Sequence, residues 1–494
     1  MKPAILAIDQ GTTSTRAIVF DAGMEVVATS QEELRQIYPA SGWVEHDADE
    51  IWAATLHTTR AALSEARGKG YAVQALGITN QRETVVVWDR DTGRPIHNAI
   101  VWQDRRTAPE CKRLEADGAA GMIAERTGLL LDPYFSATKI AWLLDTIEGA
   151  RGAAEQGRLA CGTIDSFLLW RLTGGKVHAT DVTNASRTSL FNIRSMEWDE
   201  DLLALFGIPA SLLPDVRDCD ADFGEARLEG SDAPIPIRGI AGDQQAALIG
   251  QQCFAPGEAK ATYGTGAFIL LNSGDEIVRS EHRLISTVAY RLGGRLAYAL
   301  EGSIFIAGAG MQWLRDNLRL VEDSAESEEM ARNLDKGTDV VFVPALTGLG
   351  APHWLPDARG SIFGLSRATG PAEIAAAMLE SVAYQTADLM AAMASDGRAA
   401  KAMRVDGGMA RNGWMCQFLA DILDVPIERP GNLETTAVGA AYVAGRSIGL
   451  LDPDIRLSSV GDAGARFTPQ MRGDARAAKL ARWHRAVAAT KAFG

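Results

Sequence analysis

The sequence predicts an α/β protein of two similar domains with a ligand-binding cleft between them. At 494 residues the chain is too long for one hydrophobic core. Apolar runs of strand length alternate with helical patterns in both halves, which is typical of α/β domains. A hairpin pattern with a Gly/Thr turn occurs once in each half, at residues 4–21 and 258–271. We therefore infer an internal duplication and predict domains at 1–245 and 246–494.

The amino-acid composition argues against several classes of protein. No apolar stretch reaches the roughly 20 residues of a membrane helix, and a formal charge of −14 argues against non-specific nucleic-acid binding. The five cysteines are widely spaced without a CxxC pair, so neither a disulfide framework nor a zinc site is indicated, and we expect them in the core. The first strand begins directly after Met-Lys-Pro, without a signal-peptide pattern. We expect a cytoplasmic protein that binds no nucleic acid and no membrane.

The first hairpin predicts a site for a phosphate group and a cation. Its apolar strand ends at Asp9, and Gly11 in the turn lets the backbone approach a ligand closely. The amides and hydroxyls at positions 12–14 can surround an anion, and Asp9 can hold a cation through water. The alternative is an ordinary polar hairpin turn.

Polar residues follow other predicted strands as well. Arg82 and Glu83 stand between two strand-like runs, so this charged pair must lie at a sheet end; the alternative is a surface salt bridge in a hairpin turn. Tyr134 lies in a turn beside a proline, where packing is the commoner role of an aromatic residue. Near the end, residues 403–412 read as a strand that leads through two glycines into a helix, which by itself is weak evidence for a nucleotide.

Eight short motifs along almost the whole chain carry a family resemblance. They are IDQGTTSTR at 8–16, GITNQRET at 77–84, NAIVWQ at 98–103, DPYF at 132–135, DVTNASRT at 181–188, GIAGDQQ at 239–245, TYGTG at 262–266 and DGG at 406–408. In this order they resemble the FGGY carbohydrate-kinase family of the actin-like ATPase superfamily. Several motifs in one order are far more specific than any single loop. The resemblance implies two actin-like (ribonuclease H-like) domains around a cleft.

The resemblance further implies the ATP-dependent phosphorylation of glycerol to sn-glycerol 3-phosphate. Among these positions, the residues Arg82, Glu83, Trp102 and Tyr134 resemble those of family members that act on glycerol rather than on a pentulose or hexulose. Asp243 is then the general base that accepts the proton of the attacking hydroxyl. The implied site for the phosphoryl acceptor has hydrogen-bonding residues, which are Arg82, Glu83, Tyr134, Asp243 and Gln244. It also has an apolar wall, which consists of Trp102 and Phe268. Erythritol, glyceraldehyde or dihydroxyacetone is the alternative acceptor.

The ATP side follows from the same resemblance. The implied phosphate contacts are Thr12, Thr13, Ser14 and Arg16 in the first domain and Thr265 and Gly266 in the second. Asp9 would hold Mg²⁺ through water. The remaining implied nucleotide contacts are Gly308 and Gln312 near the ribose and phosphates, and Gly408 and Asn412 around the adenine. Closure of the cleft would bring the two loops together and exclude water.

Two other functional classes share parts of this pattern. An actin-like or chaperone-type ATPase would have both phosphate loops but no use for Arg82 and Glu83, and a sugar-binding protein without catalysis would lack the loops. Relatives form dimers and tetramers, so we expect a homodimer or homotetramer. Some relatives are inhibited by fructose 1,6-bisphosphate at a loop before the GIAGDQ motif, or activated by histidine phosphorylation there. Here the run 225–238 has one glycine and no histidine, and we expect neither control.

Overall fold

Two mixed β-sheets organise the chain, one in each half. The first has six strands and the second has seven, and smaller sheets of two to four strands accompany them. This confirms the predicted α/β class with two sheet-based domains. The computed structural model describes residues 1–231, 233–323, 325–334, 337–355, 357–452, 455–457 and 464–493.

The first half contains fourteen described strands and eight described helices. The strands are β1 Lys2–Gln10, β2 Ser14–Asp21, β3 Val26–Glu33, β4 Glu45–His46, β5 Tyr71–Asn80, β6 Val85–Asp89, β7 Ala99–Ile100, β8 Leu159–Thr163, β9 Ala179–Asp181, β10 Phe191–Asn192, β11 Glu197–Trp198, β12 Asp215–Arg217, β13 Glu225–Ala226 and β14 Ile235–Gly242. The helices are α1 Ala48–Gly68, α2 Ala108–Ala116, α3 Ala120–Thr127, α4 Ser136–Thr146, α5 Ala150–Glu155, α6 Ile164–Leu172, α7 Val182–Ala185 and α8 Glu200–Phe206.

The first sheet has the order β13-β14-β5-β1-β2-β3. Strand β1 is antiparallel to β2 and parallel to β5, and β5 is parallel to β14. The β1–β2 register pairs Asp9 with Arg16 and Gln10 with Thr15, so residues 11–14 form the tight turn that the sequence predicts. Strand β1 carries five consecutive buried apolar residues because helices cover the sheet on both faces.

From Asp243 onward the described strands are β15 Glu258–Tyr263, β16 Ala267–Gly274, β17 Ile285–Leu292, β18 Arg295–Ile304, β19 Val341–Val343, β20 Ser361–Phe363, β21 Ala402–Asp406, β22 Ile427–Arg429 and β23 Ala465–Phe467. The helices are α9 Asp243–Gly250, α10 Gly308–Asp316, α11 Glu326–Arg332, α12 Pro371–Ser395, α13 Gly413–Leu423, α14 Thr435–Ser447 and α15 Gly473–Phe493.

The second sheet repeats the plan of the first. Its order is β17-β18-β16-β15-β21-β22-β23, and β15 is antiparallel to β16 and parallel to β21 as β1 is to β2 and β5. Strands β18, β22 and β23 then take the places of β3, β14 and β13, and β17 is the one additional strand, at the edge beside β18. This shared topology agrees with the inferred internal duplication.

Helix α14 belongs to the second half of the chain but packs on the first sheet, against β1, β5 and β14, and on helix α9. Small residues allow the close approach: a Cβ added at Gly77 would lie 2.2 Å from the carbonyl oxygen of Ala440. The boundary proposed between residues 245 and 246 falls inside α9. We retain it as a proposal for the two sheets, with α14 covering the first of them.

The five cysteines are free and buried, which confirms them as core residues. Among the described residues, no helix is long and apolar enough to cross a membrane.

Replacement of Gly439 by Ala should loosen the contact between α9 and α14. The added Cβ would lie 1.8 Å from the carbonyl oxygen of Ala246, a backbone atom that moves only if α9 moves. We expect the free energy of unfolding, measured with urea, to fall by at least about 1–3 kcal/mol. Gly121→Ala, in helix α3 with nothing within 4 Å of the new Cβ, is the matched control and should change it by less than about 1 kcal/mol. Equal stability of the two variants would contradict the close packing.

Candidate active site

Four buried charges join the two domains at the base of the cleft. Arg82, just after β5, donates from Nη1 and Nη2 to the carboxylate of Glu301 in β18, at 2.6 and 3.1 Å. Arg187 donates to Glu301 at 2.8 Å and to Glu83 at 2.6 Å. None of the four side chains is more than 2% exposed. Each charge therefore has an opposite charge beside it, as burial requires.

The alternative of a surface salt bridge between Arg82 and Glu83 is wrong. Both residues are buried, and 3.9 Å separates Arg82 Nε from Glu83 Oε1, because each has a closer partner elsewhere in the chain. Sequence reasoning missed these partners as site residues. Glu301 carried a signal, since a lone carboxylate in an apolar strand needs a buried partner. Arg187 lay within a recognised motif, but no local pattern indicated its role.

Electrostatics fix the ionisation state of this cluster. Burial by itself would raise the pKa of Glu301, but the positive charges of Arg187 and Arg82 lower it to about 2. Burial raises the pKa of the Tyr134 hydroxyl, which stays neutral and able to donate. Arg187 Nη1 is buried and has no hydrogen-bond partner among the described residues. The cluster thus holds an ionised carboxylate and one unused donor.

Asp243 is the carboxylate of this region that faces the cleft. It is the first residue of α9, and its side chain is 30% exposed, against 1% for Glu301. Its Oδ1 lies 3.2 Å from Arg82 Nε and accepts from the Gln244 amide at 2.7 Å. Arg82 Nη2 also lies 3.5 Å from the Tyr134 hydroxyl. Arg82 therefore lies next to both Asp243 and Tyr134, two residues that are predicted to bind the phosphoryl acceptor.

Three aromatic rings form a wall beside these polar groups. The ring of Trp102 lies 5.5 Å from that of Tyr134 and 6.0 Å from that of Phe268, both edge to face. The indole N–H of Trp102 donates to Thr12 Oγ1 at 2.9 Å. The predicted acceptor wall is thus in direct contact with the predicted phosphate loop.

Gln244 is held by a lysine that sequence reasoning missed. Its Oε1 accepts from Lys260 Nζ, which also lies 3.0 Å from Thr262 Oγ1. Burial lowers the pKa of Lys260 to about 8. The Gln244 side chain is therefore turned towards β15, and its carbonyl oxygen already has a donor.

The first loop lies beside a carboxylate suited to a hydrated cation. The amide of Gly11 donates to the carbonyl of Ser14 at 2.9 Å and closes the turn, and Thr13 is exposed at its tip. Burial raises the pKa of Asp9 to about 7; Arg16 opposes this shift, while Glu434 and Asp243 add to it.

Arg16 in β2 pairs with Glu434, which directly precedes helix α14. A bound cation would favour the ionised form of Asp9, so the donor set fits Mg²⁺. No group of three metal-ligating side chains occurs in the described part of the chain.

The second loop supports the start of α10. The Gly264 amide donates to the Gly266 carbonyl at 2.9 Å, and the Gly308 amide donates to the Gly264 carbonyl at 2.9 Å. A Cβ at Gly308 would lie 2.6 Å from that carbonyl oxygen, so packing alone requires a glycine. Thr265 and Gln312 are both exposed. The predicted contacts of these residues with a nucleotide stay predictions.

The predicted adenine side differs between its two residues. A Cβ added at Gly408 would meet nothing within 4 Å, so open space lies above its backbone. The side chain of Asn412 accepts from the Met415 amide at 2.9 Å and caps α13. A structural role therefore accounts for the side-chain oxygen of Asn412, and its adenine contact stays a prediction.

Two Gly/Thr loops on duplicated sheets, with a charged and aromatic cluster in contact with the first loop, agree with what the comparisons find. The models of the FGGY family of carbohydrate kinases match residues 4–250 with the N-terminal domain and 259–448 with the C-terminal domain. The chain belongs to the FGGY family of carbohydrate kinases.

Similar proteins cover the whole chain. It is 59% identical to "Glycerol kinase" of Rhodospirillum centenum, over 99% of this chain and 98% of that protein. It is 56% identical to "Glycerol kinase" of Allorhizobium ampelinum, over 99% of each. The crystal structure of Plasmodium falciparum glycerol kinase with ADP has a TM-score of 0.92 at 37% identity, over 99% of this chain and 98% of that one.

Removal of the Glu301 charge should expose its importance for stability. Glu301→Gln leaves Arg82 and Arg187 buried without a full counter-charge, so we expect the free energy of unfolding at pH 7 to fall by about 3–5 kcal/mol. The pKa of Glu301 is lowered from 4.5 to about 2. The stabilisation is therefore fully present above about pH 4.5 and disappears as the pH falls through about 2.

Urea unfolding of wild type and variant between pH 3 and 7 measures this difference. Glu110→Gln removes an exposed carboxylate that pairs with Arg113 and is the matched control, with an expected change below about 1 kcal/mol. A Glu301 variant as stable as this control would contradict the dependence of the cleft on the buried cluster.

Proposed function

We propose that the chain transfers the γ-phosphoryl group of ATP to glycerol and forms sn-glycerol 3-phosphate. Its similarity over the full length to proteins named glycerol kinase supports this activity. The observation in the molecule that carries the proposal is the hydrogen bond from Trp102 to Thr12. It sets the wall of a small polar pocket against a loop that can hold phosphate, as direct transfer between two bound substrates requires.

In this proposal Asp243 orients and deprotonates the attacking hydroxyl of glycerol. Its Oδ1 is engaged by Arg82 and the Gln244 amide, which leaves Oδ2 for a ligand in the cleft. In a loose transition state the proton leaves the attacking hydroxyl late, after most of the bond to the leaving group has broken. The attacking hydroxyl oxygen of glycerol forms a bond to the γ-phosphorus, and the bond between this phosphorus and the oxygen that stays on ADP breaks. Asp243 receives the hydroxyl proton.

The polar residues of the pocket would select a small polyol. Arg82, Glu83, Tyr134 and Gln244 are proposed to bind hydroxyl groups, and Trp102 and Phe268 to pack on the carbon chain. The unused donor of Arg187 adds one more group that a substrate hydroxyl can satisfy. An analogue without one hydroxyl would leave a buried polar group unpaired, at a cost of roughly 1–3 kcal/mol.

The ATP site is proposed to span both domains, with Mg²⁺ held through water at Asp9. Mg²⁺ bound there would neutralise phosphate charge. The proposed nucleotide contacts of the chain are Thr12, Thr13, Ser14, Arg16, Thr265, Gly266, Gly308, Gln312, Gly408 and Asn412. Arg16 already pairs with Glu434 and would have to exchange this partner for a phosphate oxygen.

Location, oligomeric state and regulation are part of the same proposal. A cytoplasmic location fits five buried free cysteines, and a homodimer or homotetramer is expected from the family resemblance. Control by fructose 1,6-bisphosphate is not expected, since Arg238 in the run 225–238 is engaged by Asp222. Asp232 of this run lies outside the described residues.

A panel of acceptors tests the proposed reaction. ADP formation is measured with Mg²⁺ and ATP in the presence of glycerol, erythritol, glyceraldehyde or dihydroxyacetone, and without an acceptor. We expect glycerol to give the highest kcat/KM and turnover without acceptor to be negligible. A higher kcat/KM with another acceptor would replace glycerol as substrate, and equal turnover without any acceptor would identify an ATPase.

Asp243→Asn tests the proposed base. The amide keeps the size of the side chain but cannot accept the proton, so kcat should fall by about 10²–10⁴-fold. KM for ATP should stay within a factor of about three, because Asp243 is proposed to contact only the acceptor. A near-normal kcat would exclude Asp243 as the base, and an equal loss of ATP affinity would indicate a role in shaping the whole cleft.

A further inference from the structure

A lysine without an ion pair lies in the interior between the second sheet and helix α9. Lys260 is in the middle of β15 and is fully buried, and no carboxylate of the described residues lies within ion-pair distance of its ammonium group. Burial lowers its pKa to about 8, while Asp406 and Asp243 favour the charged form from a greater distance. A buried ammonium group is costly, so its place in an otherwise apolar part of the strand calls for a partner that needs it.

That partner is Gln244 at the start of α9. Lys260 Nζ donates to Gln244 Oε1 and, at 3.0 Å, to Thr262 Oγ1. Thr262 is in the same strand, so only Gln244 links the lysine to another element. Helix α9 is buried from Gln245 onward, whereas Asp243, the residue before Gln244, is 30% exposed. Lys260 therefore acts on the one turn of α9 that is open to solvent.

The charge of Lys260 fixes which way the Gln244 amide faces. An ammonium group has three N–H donors and no acceptor, so only the amide oxygen can lie against it. The reversed amide would set its own donors against a buried cation and leave both groups unpaired. Gln244 Nε2 has no acceptor among the described residues, yet it is not fully buried. The amide therefore offers its N–H donors to solvent beside Asp243.

We propose that Lys260 is a positioning residue that makes Gln244 a donor-only contact for the phosphoryl acceptor. This role rests on the proposed function, in which Gln244 binds a hydroxyl of the acceptor. The carboxylate of Asp243 accepts hydrogen bonds, and Gln244 held in this way donates them. Two adjacent residues thus present both halves of the pairing that a hydroxyl can make, since a hydroxyl donates and accepts.

A fixed amide also contributes to selectivity. A glutamine free to turn could offer either its oxygen or its N–H groups, and it would tolerate a ligand that lacks the matching group. Because Lys260 orients the amide before any ligand binds, binding of the acceptor does not have to order it. Strand β15 continues directly into the second Gly/Thr loop, so one strand carries both Lys260 and the proposed phosphate contact Thr265.

Binding of the acceptor, followed by calorimetry without nucleotide, tests the role of Lys260. Lys260→Met replaces the ammonium group by an apolar side chain of similar length, so the strand can stay packed while the Gln244 amide loses its partner. We expect Kd for the acceptor to rise about fivefold, as for one neutral hydrogen bond, and KM for ATP to stay within about twofold. Lys401→Met, the same exchange at an exposed position just before β21 of the same sheet, is the matched control and should leave both constants within about twofold.

Two substitutions of Gln244 separate positioning from packing. Gln244→Ala removes the donor, so the further exchange Lys260→Met in that variant should change Kd by less than about twofold. Gln244→Glu keeps the size of the side chain and a partner for Lys260 but has no N–H group to offer. It should therefore bind the acceptor at least about fivefold more weakly than wild type, although its contact with Lys260 is kept.

Three results would overturn the proposal. One is a Kd for Lys260→Met within twofold of wild type, and another is a loss that Lys260→Met adds in full to that of Gln244→Ala, which would mean that the lysine acts on the fold rather than through Gln244. The third is a Kd for Gln244→Glu equal to that of wild type. The ligand is the acceptor with the highest kcat/KM, or glycerol if none is phosphorylated. A substrate other than glycerol, or none, would thus contradict the proposed function while the binding measurement still reports on Lys260.

Discussion

The cleft depends on the buried ion cluster that Glu301 completes. Its carboxylate receives hydrogen bonds from two arginines that the first domain supplies, and no water or surface charge can replace them at this depth. A shift of one domain against the other by a few ångströms would take Glu301 away from both arginines and would leave Arg187 with Glu83 and Arg82 with Asp243. Buried ion pairs add little net stability, but they penalise every arrangement in which they are broken. The cluster therefore favours arrangements of the two domains in which Glu301 stays beside these arginines.

The same cluster sets the chemistry of Asp243. Arg82 directs Nη1 and Nη2 to Glu301, and only Nε faces Asp243. Because Glu301 already balances the charge of Arg82, Asp243 is oriented by the guanidinium without being fully neutralised by it. A carboxylate in this position can hold a fixed direction and still accept a proton. In the proposed mechanism, the buried Glu301 balances the charge of Arg82, and the more exposed Asp243 is the carboxylate that accepts the proton.

The sequence predicted those features of the fold that depend on residues close together in the chain. Both hairpin loops, the strand-end positions of Asp9 and Asp243 and the duplicated sheets follow from alternation of apolar runs and turns. Glu301 and Lys260 were missed because their partners come from other parts of the fold; Arg82 and Glu301 are 219 residues apart. Capping by Asn412 and the tight contact at Gly308 show that residues which the family resemblance assigns to the nucleotide also have structural roles. Their contacts with ligand could not be read from the sequence, since no pattern separates the two roles.

Helix α14 connects the regions on which function depends. Before its first turn Glu434 pairs with Arg16 near the first loop, and Thr435 donates to Asp406, which leads into the two glycines near the proposed adenine side. Its middle packs so closely on α9, which begins with Asp243, that only Gly439 fits there. Thirteen helical residues span roughly 20 Å, so one helix relates the position of the proposed base in α9 to that of the proposed nucleotide site. A change at one end of α14 must be accommodated by α9 or by the first sheet, because the small-residue contacts leave no space in which the helix could move alone.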